Sequence, residues 1–420
     1  MTATGDDGSR AFESLRGGGR GRVLLVIGLG WFLTLGMRYV VPALLPQIQA
    51  HYDINHATAG LAVTAVWAGY ALMQFPAGAL VDRLGERRLL VGSLFAAAGS
   101  LVVLGASPSL VAFVLGCGLF GLATGMFGPA RGMTLSRTFP DNEGAAFGLT
   151  LATGSVGSAL LPFLAGLLVG PLGWRTTVAL AVPGFVVVGA ATWVVATDAE
   201  ADESDGESGT SDERENANET SVPLTSALWR AINRRAVVIP VLAITLVMFG
   251  LEGVTAFLPT YLHDVGGLSS ALASGVYALF FVGGALGQVA AGNLSDRYGD
   301  RIVLIAVAVL NVAALVAVPF VSGLVPLAVV VFLLGTRNGI APISNAYIIA
   351  VLPDEIQGTA WGMLRTGFFL VGSTGSIVVG WLADRGQFAS AFYVIAAATA
   401  AAALLYVYLP NRRVGSGHDG

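Results

Sequence analysis

One charged hairpin occurs twice in this chain, each time between two long apolar segments. Gly78-Ala-Leu-Val-Asp82-Arg83-Leu-Gly85-Glu-Arg87-Arg88 is the first copy, and Gly292, Asp296, Arg297, Gly299 and Arg301 repeat Gly78, Asp82, Arg83, Gly85 and Arg87, each 214 positions on. The same offset aligns Gly36 with Gly250, Gly69 with Gly283, Gln74 with Gln288, Gly121 with Gly335, Gly144 with Gly358, Gly148 with Gly362 and Gly166 with Gly380. A charged hairpin repeated between membrane-length apolar runs marks a duplicated membrane protein. Within the hairpin, Gly permits close helix approach and a tight turn, Asp can cap a helix or pair across the loop, and the arginines anchor a cytoplasmic face.

The pattern G-x-x-x-D-R-x-G-x-R in both copies resembles the loop 2-3 signature of the major facilitator superfamily. That resemblance implies a secondary transporter in which spans 1, 4, 7 and 10 line a central cavity between two halves. It also implies that both signature loops face the cytoplasm.

The residue content agrees with a bilayer environment. Of 420 residues, 55% are hydrophobic and 11% charged, with a mean hydropathy of +0.75, which no ordinary soluble domain shows. All 22 basic residues are arginine, so a Walker A lysine and a Schiff-base lysine are both excluded. With Cys117 alone and four histidines (His51, His56, His263, His418), no disulfide framework, metal site or bound cofactor is expected.

Apolar runs of about 20 residues per crossing predict spans at 23–46, 58–81, 88–107, 109–136, 145–170 and 174–197, then 236–262, 270–294, 301–322, 324–352, 359–382 and 388–409. The fold class is therefore an all-α membrane protein of twelve transmembrane helices in two pseudo-two-fold six-helix halves. The expected organisation is an N-terminal tail (1–22), a first half (23–197), an acidic linker (198–235), a second half (236–409) and a C-terminal tail (410–420). Between 198 and 219 stand ten acids and one arginine, a composition that stays solvated rather than packing. Putting the N-terminus inside assigns sixteen arginines to cytoplasmic segments and leaves only Arg175 and Arg385 outside, so both termini and the linker are predicted to be cytoplasmic in the cell membrane.

Four arginines and one acid remain within the spans. Arg38 lies about 22 Å into span 1, too deep to snorkel, and Glu252 occupies the symmetry-related position of span 7. A charge at such depth costs at least about 2.5–3.5 kcal/mol, so each needs a partner or a watery cavity. With Arg337 in span 10, these three are the substrate-binding or coupling candidates, and the cavity arrangement follows from the family resemblance. Arg131 and Arg365 lie near predicted cytoplasmic ends, where snorkelling or pairing with the signature loops would satisfy them. They join Asp82, Arg83, Arg87, Asp296, Arg297 and Arg301 as gate candidates. Tyr39, Tyr70, Gln74, Gln288 and Asn338 are secondary cavity candidates, for which helix-helix packing is the competing role. Gly157-Ser-Ala-Leu-Leu161-Pro162-Phe-Leu-Ala-Gly166 looks like the antiporter motif of span 5, but Leu161 stands where that motif has Gly. Cys117 occupies the place of a family arginine in span 4.

Taken together, the sequence predicts a transporter of a small, anionic solute, coupled to protons through Glu252 and Arg38 acting as partners. Proton-driven efflux of apolar or cationic compounds, and a non-transporting sensor or scaffold built around the linker, are the alternatives. Neither enzyme activity nor nucleic-acid binding is expected, since the spans hold a single carboxylate and no histidine or lysine.

Overall fold

In lipid a chain must satisfy its backbone polar groups within itself, and apolar runs of this length do so as helices. The computed structural model describes residues 19–140, 142–196, 234–353 and 356–409. Most of the acidic linker, the C-terminal tail and the N-terminal tail up to residue 18 lie outside the described residues, as do Arg10, Arg16, Arg214, Arg230, Arg412 and Arg413.

The first half consists of α1 (Arg20–Ala43), the short α2 (Leu45–Tyr52), α3 (His56–Leu84), α4 (Glu86–Ala106), α5 (Leu110–Thr138), α6 (Glu143–Ala179) and α7 (Val182–Val195). The second half consists of α8 (Arg235–Asp264), α9 (Ser270–Tyr298), α10 (Asp300–Ala317), α11 (Leu324–Gly335), α12 (Ile340–Val351), α13 (Gln357–Ser373), α14 (Gly375–Ala383) and α15 (Phe388–Val407). Eleven stretches are long and apolar enough to cross a membrane. One of them, Glu143–Val195, runs to 53 residues and breaks at Gly173 (φ 74°, ψ 161°), so it makes two crossings and brings the total to twelve among the described residues. The first span ends sooner than expected, because the chain turns at Leu44 and restarts as α2. Span 10 is split by a 3-10 turn, Thr336–Gly339, which carries Arg337 and Asn338.

The duplication is visible in the packing. A Cβ at Gly121 would overlap the carbonyl oxygen of Val66, and one at Gly335 would overlap that of Phe280, which is the equivalent residue of the other half. Gly69 and Gly283 meet the carbonyls of Gly118 and Phe332 in the same way. Small residues at these four places let α3 approach α5, and α9 approach α11, backbone to backbone. The N-caps are equivalent too: Asn55 accepts from Thr58 N–H and Ser269 from Leu272 N–H. At the signature loops Gly85 (φ 80°, ψ 157°) and Gly299 (φ 88°, ψ 148°) adopt a backbone region open only to glycine.

The two halves meet differently at the two ends of the bundle. Away from the signature loops, Asp384 accepts from the backbone N–H groups of His56 (2.6 Å) and Ala57 (3.0 Å) at the start of α3. Thr64 donates to the Ser373 carbonyl, Ser376 to that of Gly60, and Gln47 to Ser270. At the signature-loop end α3, α5 and α13 part around an open cleft.

Candidate functional site

That cleft has a volume of about 690 Å³, within the size range of small-molecule sites. Its chemically active lining is Gln74 and Asp82 from α3, Arg131 from α5 and Arg365 from α13. At its inner edge stands Tyr70. Its ring covers the Arg38 guanidinium, whose carbon is 3.9 Å from the ring centroid, and its hydroxyl accepts from Arg365 Nη2 at 3.3 Å. Arg38 is 1% exposed and donates through Nε to Thr124 Oγ1 (3.3 Å), with Trp67 and Trp31 completing an aromatic wall at 5.4 and 5.6 Å. Arg131 also lies over this wall, 4.3 Å from the Trp31 ring and 5.7 Å from Phe147. A desolvated cation on an aromatic face gains about 2 kcal/mol, which offsets part of the cost of burying it.

The aromatic contacts leave donors unused. Arg38 Nη2, Arg131 Nε and Nη1, and Arg365 Nε are buried without a hydrogen-bond partner, and no acid lies within ion-pair distance of these three side chains among the described residues. Each such donor costs on the order of 1–3 kcal/mol, and more where the group is charged. The expected pairing of Arg131 and Arg365 with the signature loops is not formed among the described residues: Arg131 lies over rings of α1 and α6, and Arg365 meets the Tyr70 hydroxyl of α3 and the Phe369 ring of its own helix.

Glu252, also 1% exposed, sits apart from the cleft lining with neither carboxylate oxygen hydrogen-bonded. Arg38 and Arg337 are the charges whose fields reach it, yet no ion pair joins it to either within 4.0 Å. The direct Arg38–Glu252 contact inferred from their symmetric positions is therefore not formed: Arg38 turns to the aromatic wall of its own half. Arg337 donates through Nη2 to the Val247 carbonyl (2.9 Å) and packs against Gly250, where a Cβ would come within 2.7 Å of Nη2.

The secondary candidates divide. Tyr39 stacks on Trp67 of its own half (5.6 Å) and on Phe281 of the other (4.5 Å). Gln74 donates to the Gly125 carbonyl (3.1 Å), a contact between helices of one half. Gln288 is half-buried, and the Asn338 amide fills the space beside Gly284. At the signature loops, the side chains of Asp82, Asp296, Arg83 and Arg301 make no hydrogen bond or ion pair among the described residues. Arg87 stacks on Trp193 (4.1 Å), and Arg297 lies 5.9 Å from the ring of its neighbour Tyr298. The acids engaged there are instead Glu86, paired with Arg137 at 2.8 Å, and Asp300, which accepts from Ser295. These two are themselves 214 positions apart, so the sequence repeat also carries this pair. Trp31 could also have been found, seven residues or two helical turns before Arg38 on the same face of α1.

Comparison with known proteins gives a consistent result. The sequence model of the Major Facilitator Superfamily matches residues 26–281 and 267–419. The uncharacterized transporter YgaY of Escherichia coli O157:H7 is 30% identical over 174 residues, 41% of this chain and 43% of that protein. The drug efflux pump JefA of Mycobacterium tuberculosis is 30% identical over 41% of this chain and 34% of its own length. These matches thus span less than half of each relative. The probable sulfoacetate transporter SauU of Cupriavidus necator is 24% identical over 93% of this chain and 94% of that protein. Among solved structures, a bacterial homologue of the lysosomal transporter Spinster, in an inward-facing and unoccupied conformation, superposes with a TM-score of 0.70 at 16% identity, covering 94% of this chain and 96% of that one.

Proposed function

The chain belongs to the major facilitator superfamily, and from that premise we propose that it is a secondary transporter of a small organic anion, coupled to protons and working by alternating access. The carrying observation is the group of buried guanidinium donors without a carboxylate partner beside the cleft. The lining contains two arginines and one carboxylate, Asp82, and Arg38 lies just behind them, so the field favours negative charge. An apolar or cationic cargo would leave these donors unpaired, and a cationic one would add repulsion. A relative named for sulfoacetate that aligns along nearly the whole chain adds support.

In this reading the sealed Asp384–His56 end faces outward and the cleft opens to the cytoplasm, with signature loops and both termini on the inner side of the cell membrane. The arginine distribution supports that orientation. Glu252 is the proton site, a buried carboxylate with neither oxygen hydrogen-bonded, and Arg38, one of the two charges whose fields reach it, is where the anion binds. Occupation of Arg38 by an anion weakens that cation's hold on the ionised acid, so proton and anion binding become mutually favourable, as symport requires. The halves then rock about the shared site.

The test is a thermal-shift screen of the purified protein against small carboxylates and sulfonates, including sulfoacetate, and against lipophilic cations. Stabilisation by anions that grows as pH falls supports the reading. Stabilisation by cations alone would overturn it.

A further inference from the structure

The deepest arginine and the two outer ones are not one site. We infer that Arg131 and Arg365 form a second anion subsite, distinct from Arg38, and that the transported molecule is a small organic acid carrying two negative groups. The inference rests on the reading of the cleft as the path of an anion.

Three observations carry it. Arg38, Arg131 and Arg365 lie in one another's electrostatic fields, with no acid in ion-pair contact among the described residues. A monoanion bound at one guanidinium leaves two like charges facing each other, whereas a dianion leaves a single excess charge. Tyr70 separates the positions: Arg38 sits under its ring face, and Arg365 reaches its hydroxyl. The spacing is thus of the order of one aromatic ring, the span of a short carbon chain with an acid at each end. Finally, the outer pair comes from opposite halves, Arg131 from α5 and Arg365 from α13, and both border the open cleft.

That last feature ties recognition to movement. A ligand held by Arg38 alone touches only the first half and has no grip on the arrangement of the two. A second acid held between Arg131 and Arg365 draws α5 and α13 together at the end where they are parted. A ligand shifts a conformational equilibrium only through such differential contact. A monoacid would bind at Arg38 without promoting closure.

The experiment measures binding to the purified full-length protein and uptake into proteoliposomes for matched pairs: acetate against malonate, and propionate against succinate. The wild type is expected to bind the diacids at least about tenfold more tightly, as charge-assisted bidentate pairing provides, and to transport them alone. Arg131→Gln and Arg365→Gln should each lower diacid affinity by a larger factor than monoacid affinity, removing most of the preference, and Arg365→Lys should recover part of it. Equal affinity for both members of each pair in the wild type, or equal losses for both in the outer variants, would overturn the inference. In that case anion binding that still depends on Arg38 would leave the proposed function standing. If no organic anion, carboxylate or sulfonate, binds at all, both fail together. A variant with a lowered melting temperature is replaced by its methionine counterpart, which keeps much of the bulk and removes the charge.

Discussion

Arg38 and Glu252 occupy equivalent places in two copies of one ancestral unit, yet their surroundings have little in common. Arg38 lies behind a tyrosine that borders an open cleft, with two tryptophans and two further arginines at hand. Glu252 lies away from the cleft lining, and the charges whose fields reach it are Arg38 and Arg337. The helix frame around them is nonetheless the same, down to the carbonyls that Gly121 and Gly335 accommodate. Duplication thus preserved backbone packing, which tolerates no added Cβ, while side chains facing the interior diverged. The first half carries an aromatic wall around its buried cation, and the second an acid whose carboxylate makes no hydrogen bond.

The largest expected effect separates the two positions most sharply. Arg38→Gln should abolish anion binding, with a loss of at least about 2–5 kcal/mol typical of removing one member of a buried charged contact, measured by titration of the purified protein. Full retention of affinity would erase the distinction between the halves. The frame, by contrast, should respond symmetrically. Gly121→Ala and Gly335→Ala should each destabilise by about 1–3 kcal/mol or more through backbone overlap, with similar falls in melting temperature. A marked inequality between them would show that the halves pack less alike than they look.

Glu252→Gln removes a buried carboxylate that lacks hydrogen bonds, so stability should rise by about 1 kcal/mol, seen as a higher melting temperature. The same variant should flatten the pH dependence of anion binding, and a persistent dependence would move the proton site elsewhere. In a double-mutant cycle, Arg38→Gln and Glu252→Gln should give non-additive effects on that dependence even without direct contact, because the field of Arg38 reaches the acid. The smallest effect belongs to the signature loop. Asp82→Asn, at the mouth of the cleft, should lower turnover a few-fold with nearly unchanged affinity, as expected of a group that acts in closure. A large affinity loss with normal turnover would instead put Asp82 in the binding site.

Much of this architecture was legible in the chain itself. The twelve spans follow from apolar length, because a bilayer forces each such run into a helix. The two halves follow from the 214-residue repeat, and the depth of Arg38 and Glu252 follows from helical rise. What stayed hidden was lateral: which neighbour each buried cation takes. Arg131 and Arg365 read as snorkelling residues because sequence reports distance from a helix end and is silent about rings on adjacent helices. Arg38 read as the partner of Glu252 because symmetry matches depth and says nothing of side-chain direction. Helix formation and membrane depth are properties of one segment and its solvent, so the sequence alone determined them. The gathering of Arg38, Arg131 and Arg365 around Tyr70 depends on how α1, α3, α5 and α13 pack across two halves, and only the tertiary structure decided it.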